Sequence, residues 1–275
     1  MPQFDIPVDW ERSAADIIRH RWRKVLIIGN VDSGKSTYGA FLSHRFLAAG
    51  FGVAIVDADI GQKDIGPPAT ITLGYPESTG PLADLKPAAV YFVGAVSPVG
   101  RLLPMVVGTR RLVDAAQAAF VLINTTGFVH GAGRILKSYK IEALQPDIIL
   151  ALERGTELQP ILSAYRNYRV RRIRPSVRAI TKTPQYRTAA RKQAFSRYFQ
   201  TATEVILPCE KLIFQRGLVL ATVERHLLCG VTDKYNKGLG LAIVMHSDAS
   251  GGNIELFTPV PAEHIGVIQG GDLYL

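Results

Sequence analysis

With 275 residues, 47% of them hydrophobic and 20% charged, the chain can bury a full core as one large domain or one large and one small. Its apolar runs fall short of the ~18 residues a membrane span needs, Met1–Ala15 lacks the pattern of a secretory leader, and two cysteines, Cys209 and Cys229, are too few for a disulfide framework or a zinc site. A soluble cytoplasmic protein is expected, and its net charge of +9 favours an anionic partner.

In chain order, Ile17–Arg23 reads as a basic lead-in closing a short helix begun near Glu11. Val25–Ile28 is a buried strand ending at Gly29, and Ser36–Ala49 has helical spacing with Gly50 as its stop. Val53–Val56 is a second buried strand, ending at Asp57. Ala89–Val93 and Phe120–Ile123 are two more, with a helix expected at Arg110–Ala119 between them. Ile148–Ala151 is a fifth, preceded by a helix over Gly133–Leu144. Strands alternating with helices predict an α/β fold with a mainly parallel sheet covered by helices. After Arg197-Tyr-Phe199 the pattern shifts to short β-type runs at Val219–Val223, Gly240–Met245, Ile254–Phe257 and Gly266–Gln269. Turn formers at Asp233–Gly238 and Ser247–Asn253 separate them. The expected organisation is a lead-in over 1–20, a P-loop domain over 21–202 with a lid around 165–197, and a small all-β domain over 203–275.

The strongest chemical signal is Gly29-Asn30-Val31-Asp32-Ser33-Gly34-Lys35-Ser36-Thr37, a P-loop pattern between a predicted strand and a predicted helix. Backbone N–H groups of such a loop wrap phosphates, so this segment is expected to bind ATP. Lys35 reaches the terminal phosphates, and the Ser36 hydroxyl serves magnesium. Asp57 and Asp59 leave the end of a buried strand on one face. One acid there can hold the magnesium shell while the other takes a proton from an attacking hydroxyl; the competing reading is helix N-capping. Residues 158–203 contain no acid but eleven basic residues, from Arg166 to Arg197. Such a block suits a polyanion or a solvated surface. Within it Arg187 and Arg191, spaced i, i+4, would share a helix face and bring charge to the phosphates.

Taken in order, these segments resemble the polynucleotide 5′-hydroxyl kinase family, the P-loop RNA kinases that include a subunit of the eukaryotic cleavage-and-polyadenylation machinery. The resemblance rests on the P-loop with Asp32-Ser33, then Asp57-Ala-Asp59-Ile-Gly-Gln62, then Phe92-Val-Gly94 with Ser97-Pro98. Asn124-Thr-Thr-Gly127-Phe128-Val-His-Gly131, Arg187-x-x-x-Arg191 before Tyr198-Phe199, and Gly238–Val244 with Thr258-Pro259 complete it. It implies transfer of the γ-phosphoryl of ATP to the 5′-hydroxyl end of RNA or DNA, with magnesium at Ser36 and Asp57. Asp59 would be the general base, Arg187 and Arg191 the lid arginines, and Gln62, Thr126, Gly127 and Phe128 the acceptor-binding residues. The family's clasp usually carries Trp where this chain has Phe128, and a core aromatic is the plainer reading of that residue. His130 is expected to be structural. The chain resembles a short form without the eukaryotic N-terminal domain, so the protein partners of those members are not carried over. An ATP-binding scaffold without turnover is the alternative function. A GTPase is disfavoured because Thr181-Lys182-Thr-Pro184 lacks the Asp that reads guanine, and a metal-delivery ATPase because the sequence has no Cys/His cluster to hold a transferred metal.

Overall fold

The computed structural model describes residues 6–77, 80–177, 179–218, 223–248 and 252–275. Helix α1 (Val8–His20) precedes the central strand β1 (Lys24–Gly29), helix α2 (Lys35–Ala48) and strand β2 (Val53–Ala58). Then come β3 (Thr70–Gly74), β4 (Ala89–Phe92), α3 (Leu102–Ala115), β5 (Phe120–Thr125), α4 (Ala132–Leu144) and β6 (Ile148–Leu152). A short helix α5 (Gln159–Leu162), strand β7 (Val170–Ile173) and helix α6 (Pro184–Phe199) follow. The first sheet has the order β4-β3-β2-β5-β1-β6-β7. Its five strands from β2 to β7 run parallel; β3 is added antiparallel to β2 at one edge, and β4 pairs antiparallel with β3.

Side-chain alternation along β1 divides the core. Leu26 and Ile28 join the layer beneath α3 and α4, whereas Val25 and Ile27 join the layer beneath α1 and α2. Helix α1 packs because Trp10, Ala14 and Ile17 recur at helical spacing, and the Trp10 ring lies 4.7 Å from that of Tyr38. It starts at Val8, ahead of the expected Glu11. Helix α3 likewise begins at Leu102 and ends at Ala115, not over Arg110–Ala119. Pro104 sits in its first turn, where a missing N–H costs nothing, and buried Met105, Gly108, Thr109, Leu112 and Val113 form its inner face.

From Thr203 onward a second, six-stranded sheet forms from β8 (Thr203–Pro208), β9 (Ile213–Gln215), β10 (Leu227–Thr232), β11 (Gly238–Ser247), β12 (Asn253–Thr258) and β13 (Val267–Tyr274). Its order is β8-β12-β11-β10-β13-β9, antiparallel except for β13–β9. Most of the strand expected at Val219–Val223, and part of the turn at Ser247–Asn253, lie outside the described residues. The two sheets share a small core in which Phe92 of the first, with Ala69 just before β3, meets Leu228 and Leu241 of the second, together with Phe195 and Phe199 of α6. Among the described residues no helix is long and apolar enough to cross a membrane.

Candidate active site

Open parallel sheets bind ligands beyond the carboxyl ends of their strands. Here Ile27 of β1 lies opposite Asn124 of β5, which lies opposite Asp57 of β2. The three loops that follow therefore emerge side by side. The first is the P-loop, with Gly34 at φ +84° turning the chain into α2. Lys35 is buried at 7% exposure, and its Nζ donates to the Asn30 carbonyl at 2.6 Å. Burial lowers its pKa to about 8, opposed by the charges of Asp59, Asp32 and Asp64.

The second loop separates the two acids by environment. Asp57 is fully enclosed. Its Oδ1 accepts from the Asp59 N–H at 3.1 Å and the Asn124 amide at 3.3 Å. Its Oδ2 accepts from the Asp64 and Ile65 N–H groups at 2.9 and 3.2 Å and pairs with the Lys63 ammonium at 3.1 Å. Asp57 thus staples its own loop through both oxygens, one strand position below the cleft-lining residues. Asp59 does line the cleft, and its Oδ1 accepts from the Gly61 and Gln62 N–H groups at 3.0 Å each. Asp64 was not anticipated from the sequence. Asn124 Nδ2 sits 3.2 Å from Asp64 Oδ2 and 3.4 Å from Ser36 Oγ, which brings the second acid and the P-loop hydroxyl to one corner. Burial, and then the neighbouring Asp57, raise the Asp64 carboxyl above the usual carboxylate range. Asn124 Oδ1 is buried in this corner and has no hydrogen-bond partner among the described residues.

The third loop lies against the first. A Cβ on Gly127 would fall 2.5 Å from Val31 Cα, so only glycine lets this turn rest on the P-loop. Phe128 is half-buried: it packs against the core and also lines the cleft. His130 is exposed on the cleft wall. Beneath the turn, Lys137 Nζ donates to the Thr126 carbonyl at 2.7 Å, a contact not anticipated from the sequence.

Helix α6 approaches from the far side, capped by the Thr183 side chain with Pro184 following. Arg187 Nη2 lies 2.5 Å from Asp32 Oδ2 in the P-loop, and the same oxygen accepts from the Lys182 N–H at 2.9 Å. Gln62 Nε2 reaches the Arg187 carbonyl at 3.4 Å. Arg191 Nη2 donates to Thr188 Oγ1 at 2.9 Å and lines the cleft. The basic stretch is not a single lid, however. Arg169, Arg171 and Arg172 lie on or beside the edge strand β7, where Arg171 pairs with Asp16 and Arg172 with Glu153. Charged side chains on an exposed edge also block unwanted strand pairing. Only the portion from Ala179 reaches the cleft, and Arg178 lies outside the described residues.

These elements enclose a cleft of about 760 Å³ containing Lys35, Ser36, Asp59, Gln62, Thr126–Phe128, Arg187 and Arg191. Among the described residues no group of three His, Cys, Asp or Glu is arranged to hold a metal alone. The donors present fit magnesium, which is typically bound by one or two protein oxygens together with substrate phosphates and water.

Residues 29–201 match the family model described as mRNA cleavage and polyadenylation factor CLP1 P-loop. A polyribonucleotide 5′-hydroxyl-kinase of Pyrococcus furiosus is 40% identical over 214 residues, covering 76% of this chain and 60% of that protein. One of Methanocaldococcus jannaschii is 41% identical over 183 residues, covering 65% of this chain and 51% of the relative. The chain thus spans between half and two thirds of the length of these relatives. The fold resembles a solved Clp1p–Pcf11p complex, with a TM-score of 0.71 at 12% identity, covering 97% of this chain and 79% of that one. By its sequence match the chain belongs to the CLP1 P-loop family.

Proposed function

We propose that this protein is an ATP-dependent polynucleotide 5′-hydroxyl kinase whose acceptor is the 5′ end of RNA. The observation that carries the reading is one cleft that unites the P-loop, Asp59, the Thr126–Phe128 turn and two arginines of α6. The names of the archaeal relatives support RNA as the acceptor.

In this reading the P-loop N–H groups and Lys35 hold the phosphates of ATP. Ser36 and Asp64, braced by Asn124, would hold magnesium, which supplies charge neutralisation at the phosphates. The acceptor's terminal nucleotide lies against Phe128, whose flat ring stacks on any base. Asp59 takes the proton of the 5′-hydroxyl as its oxygen bonds to the γ-phosphorus. The bond from that phosphorus to the bridging oxygen breaks, and ADP leaves. Arg191, and Arg187 once exchanged from Asp32, meet the charge that spreads over the transferring group. Helix α6 and residues 179–183 serve as the lid.

The test is incubation with γ-labelled ATP and a 5′-hydroxyl oligoribonucleotide, with a 5′-phosphorylated oligonucleotide as control. Label should enter the hydroxyl substrate alone, and Lys35→Ala should abolish transfer while leaving the fold intact. Nucleotide binding without transfer would favour a scaffold and refute the kinase reading.

A further inference from the structure

Two lysines of α4, Lys137 and Lys140, are fully buried, and the phosphoryl-transfer chemistry uses neither. An amine in an apolar interior costs several kcal/mol when charged, and burial accordingly lowers the pKa of both. Their surroundings differ. Lys140 Nζ has no hydrogen-bond partner among the described residues. Lys137 Nζ lies 2.7 Å from the Thr126 carbonyl and 3.3 Å from Thr126 Oγ1. The same hydroxyl accepts from the Phe128 N–H at 3.4 Å.

Gly133 stands four residues before Lys137 and therefore on the same helix face. A Cβ at Gly133 would fall 2.5 Å from the Phe128 carbonyl oxygen, so this face of α4 abuts the turn directly. The turn is held at both sides: Gly127 against the P-loop from above and α4 from below. Among the described residues, only the Lys137 amine joins the body of the helix to the Thr126–Phe128 turn by a buried side-chain hydrogen bond.

We propose that Lys137 is a positioning residue for the nucleic-acid acceptor, pinning Thr126 so that Phe128 is presented to the terminal nucleotide at a fixed height above the P-loop. This rests on the reading of Thr126–Phe128 as the acceptor-binding turn. Lys140, equally buried on the same helix but without a partner, provides an internal control.

Lys137→Met and Lys140→Met preserve side-chain length and remove the amine. With ATP saturating, Lys137→Met should raise the KM for a 5′-hydroxyl oligoribonucleotide roughly two- to tenfold, the worth of one hydrogen bond from a neutral amine. Its kcat and its KM for ATP should stay within about twofold, since uniform binding is what is lost. Amide hydrogen exchange over residues 124–133 should quicken in this variant, and exchange over the P-loop, Gly29–Thr37, should not. Lys140→Met should leave all these quantities unchanged. An unaltered acceptor KM in a folded Lys137→Met protein would overturn the proposal, as would equal losses in both variants, which would signal general disturbance of α4. If Lys137→Met does not fold, Lys137→Gln, a shorter donor, should show the same direction of change. Should the wild-type protein phosphorylate no 5′-hydroxyl end, the kinase reading falls. The hydrogen-exchange comparison then still decides whether Lys137 holds the turn.

Discussion

Replacing Lys140 with methionine should stabilise the protein, and the gain should shrink as pH rises. The wild-type amine is fully buried and has no hydrogen-bond partner among the described residues, and burial lowers its pKa from the ordinary 10.5 to about 7. That interval, at about 1.36 kcal/mol per pH unit, sets a ceiling of roughly 5 kcal/mol on the cost of the charge. Substitutions of buried charges by apolar residues of similar volume usually recover about 1–4 kcal/mol, and methionine fills irregular gaps well. Between pH 7 and 10.5 the unfolded chain keeps its proton while the folded chain releases it, so wild-type stability climbs with pH over this window. The variant lacks that contribution. The difference should therefore be widest at or below pH 7, fall to roughly 2 kcal/mol near pH 9, and vanish above 10.5. Lys35, held at about 8, imposes a similar trend on both proteins and cancels. Urea unfolding at pH 6.5, 7.5 and 9.0, read as midpoints at constant m, measures the difference directly. A less stable variant at pH 7.5, or a difference independent of pH, would refute the reasoning.

The two acids of the second loop should separate under mutation. Asp57→Asn strips the partner from a buried Lys63 and should destabilise by about 3–5 kcal/mol in thermal unfolding, whereas Asp59→Asn should keep its Tm and lose roughly 10²–10⁴-fold in kcat. A wild-type Tm for Asp57→Asn would refute its role as a staple. Gly127→Ala should displace the P-loop and weaken ATP binding, which a fluorescent nucleotide titration detects; unchanged affinity would mean that the loop yields freely. Arg191→Ala should lower kcat, by up to roughly 10³–10⁵-fold if it behaves like other arginine fingers, with little change in acceptor KM. A rise in KM alone would assign it to nucleic-acid binding.

What the sequence disclosed depended on how local each signal was. The P-loop, Asp59 and the Asn124–Gly131 segment declare themselves because their residue types and spacing lie within a few positions of one another, next to recognisable strands. Strands β3 and β7 were hidden: β3 follows Gly66-Pro67-Pro68 and its apolar run is broken by Thr70 and Thr72, whereas β7 lies within a run of arginines and, as an edge strand, carries little of the apolar pattern of a central one. Asp64 follows Asp59 by five residues in a loop, and only folding reveals that the chain doubles back to Asn124 and Ser36. Lys137 and Lys140 were available in principle. They fall on the face of α4 that carries Leu136, Ile141 and Leu144, but a lysine is normally assigned to solvent.

Helix α6 has a mechanical consequence. Its far end is fastened to the second sheet: Phe195 and Phe199 sit in the shared core, and the Leu241 N–H donates to the Tyr198 hydroxyl at 2.7 Å. The near end, roughly 18 Å away at 1.5 Å per residue from Arg187 to Phe199, rests on Asp32 of the P-loop. A stiff rod clamped at one end can swing its tip only if the clamp gives or the rod bends. The C-terminal sheet therefore sets the resting angle at which α6 holds Arg187 and Arg191 over the cleft. Loosening Tyr198 or Leu241, far from any reacting atom, should register first as a change in turnover.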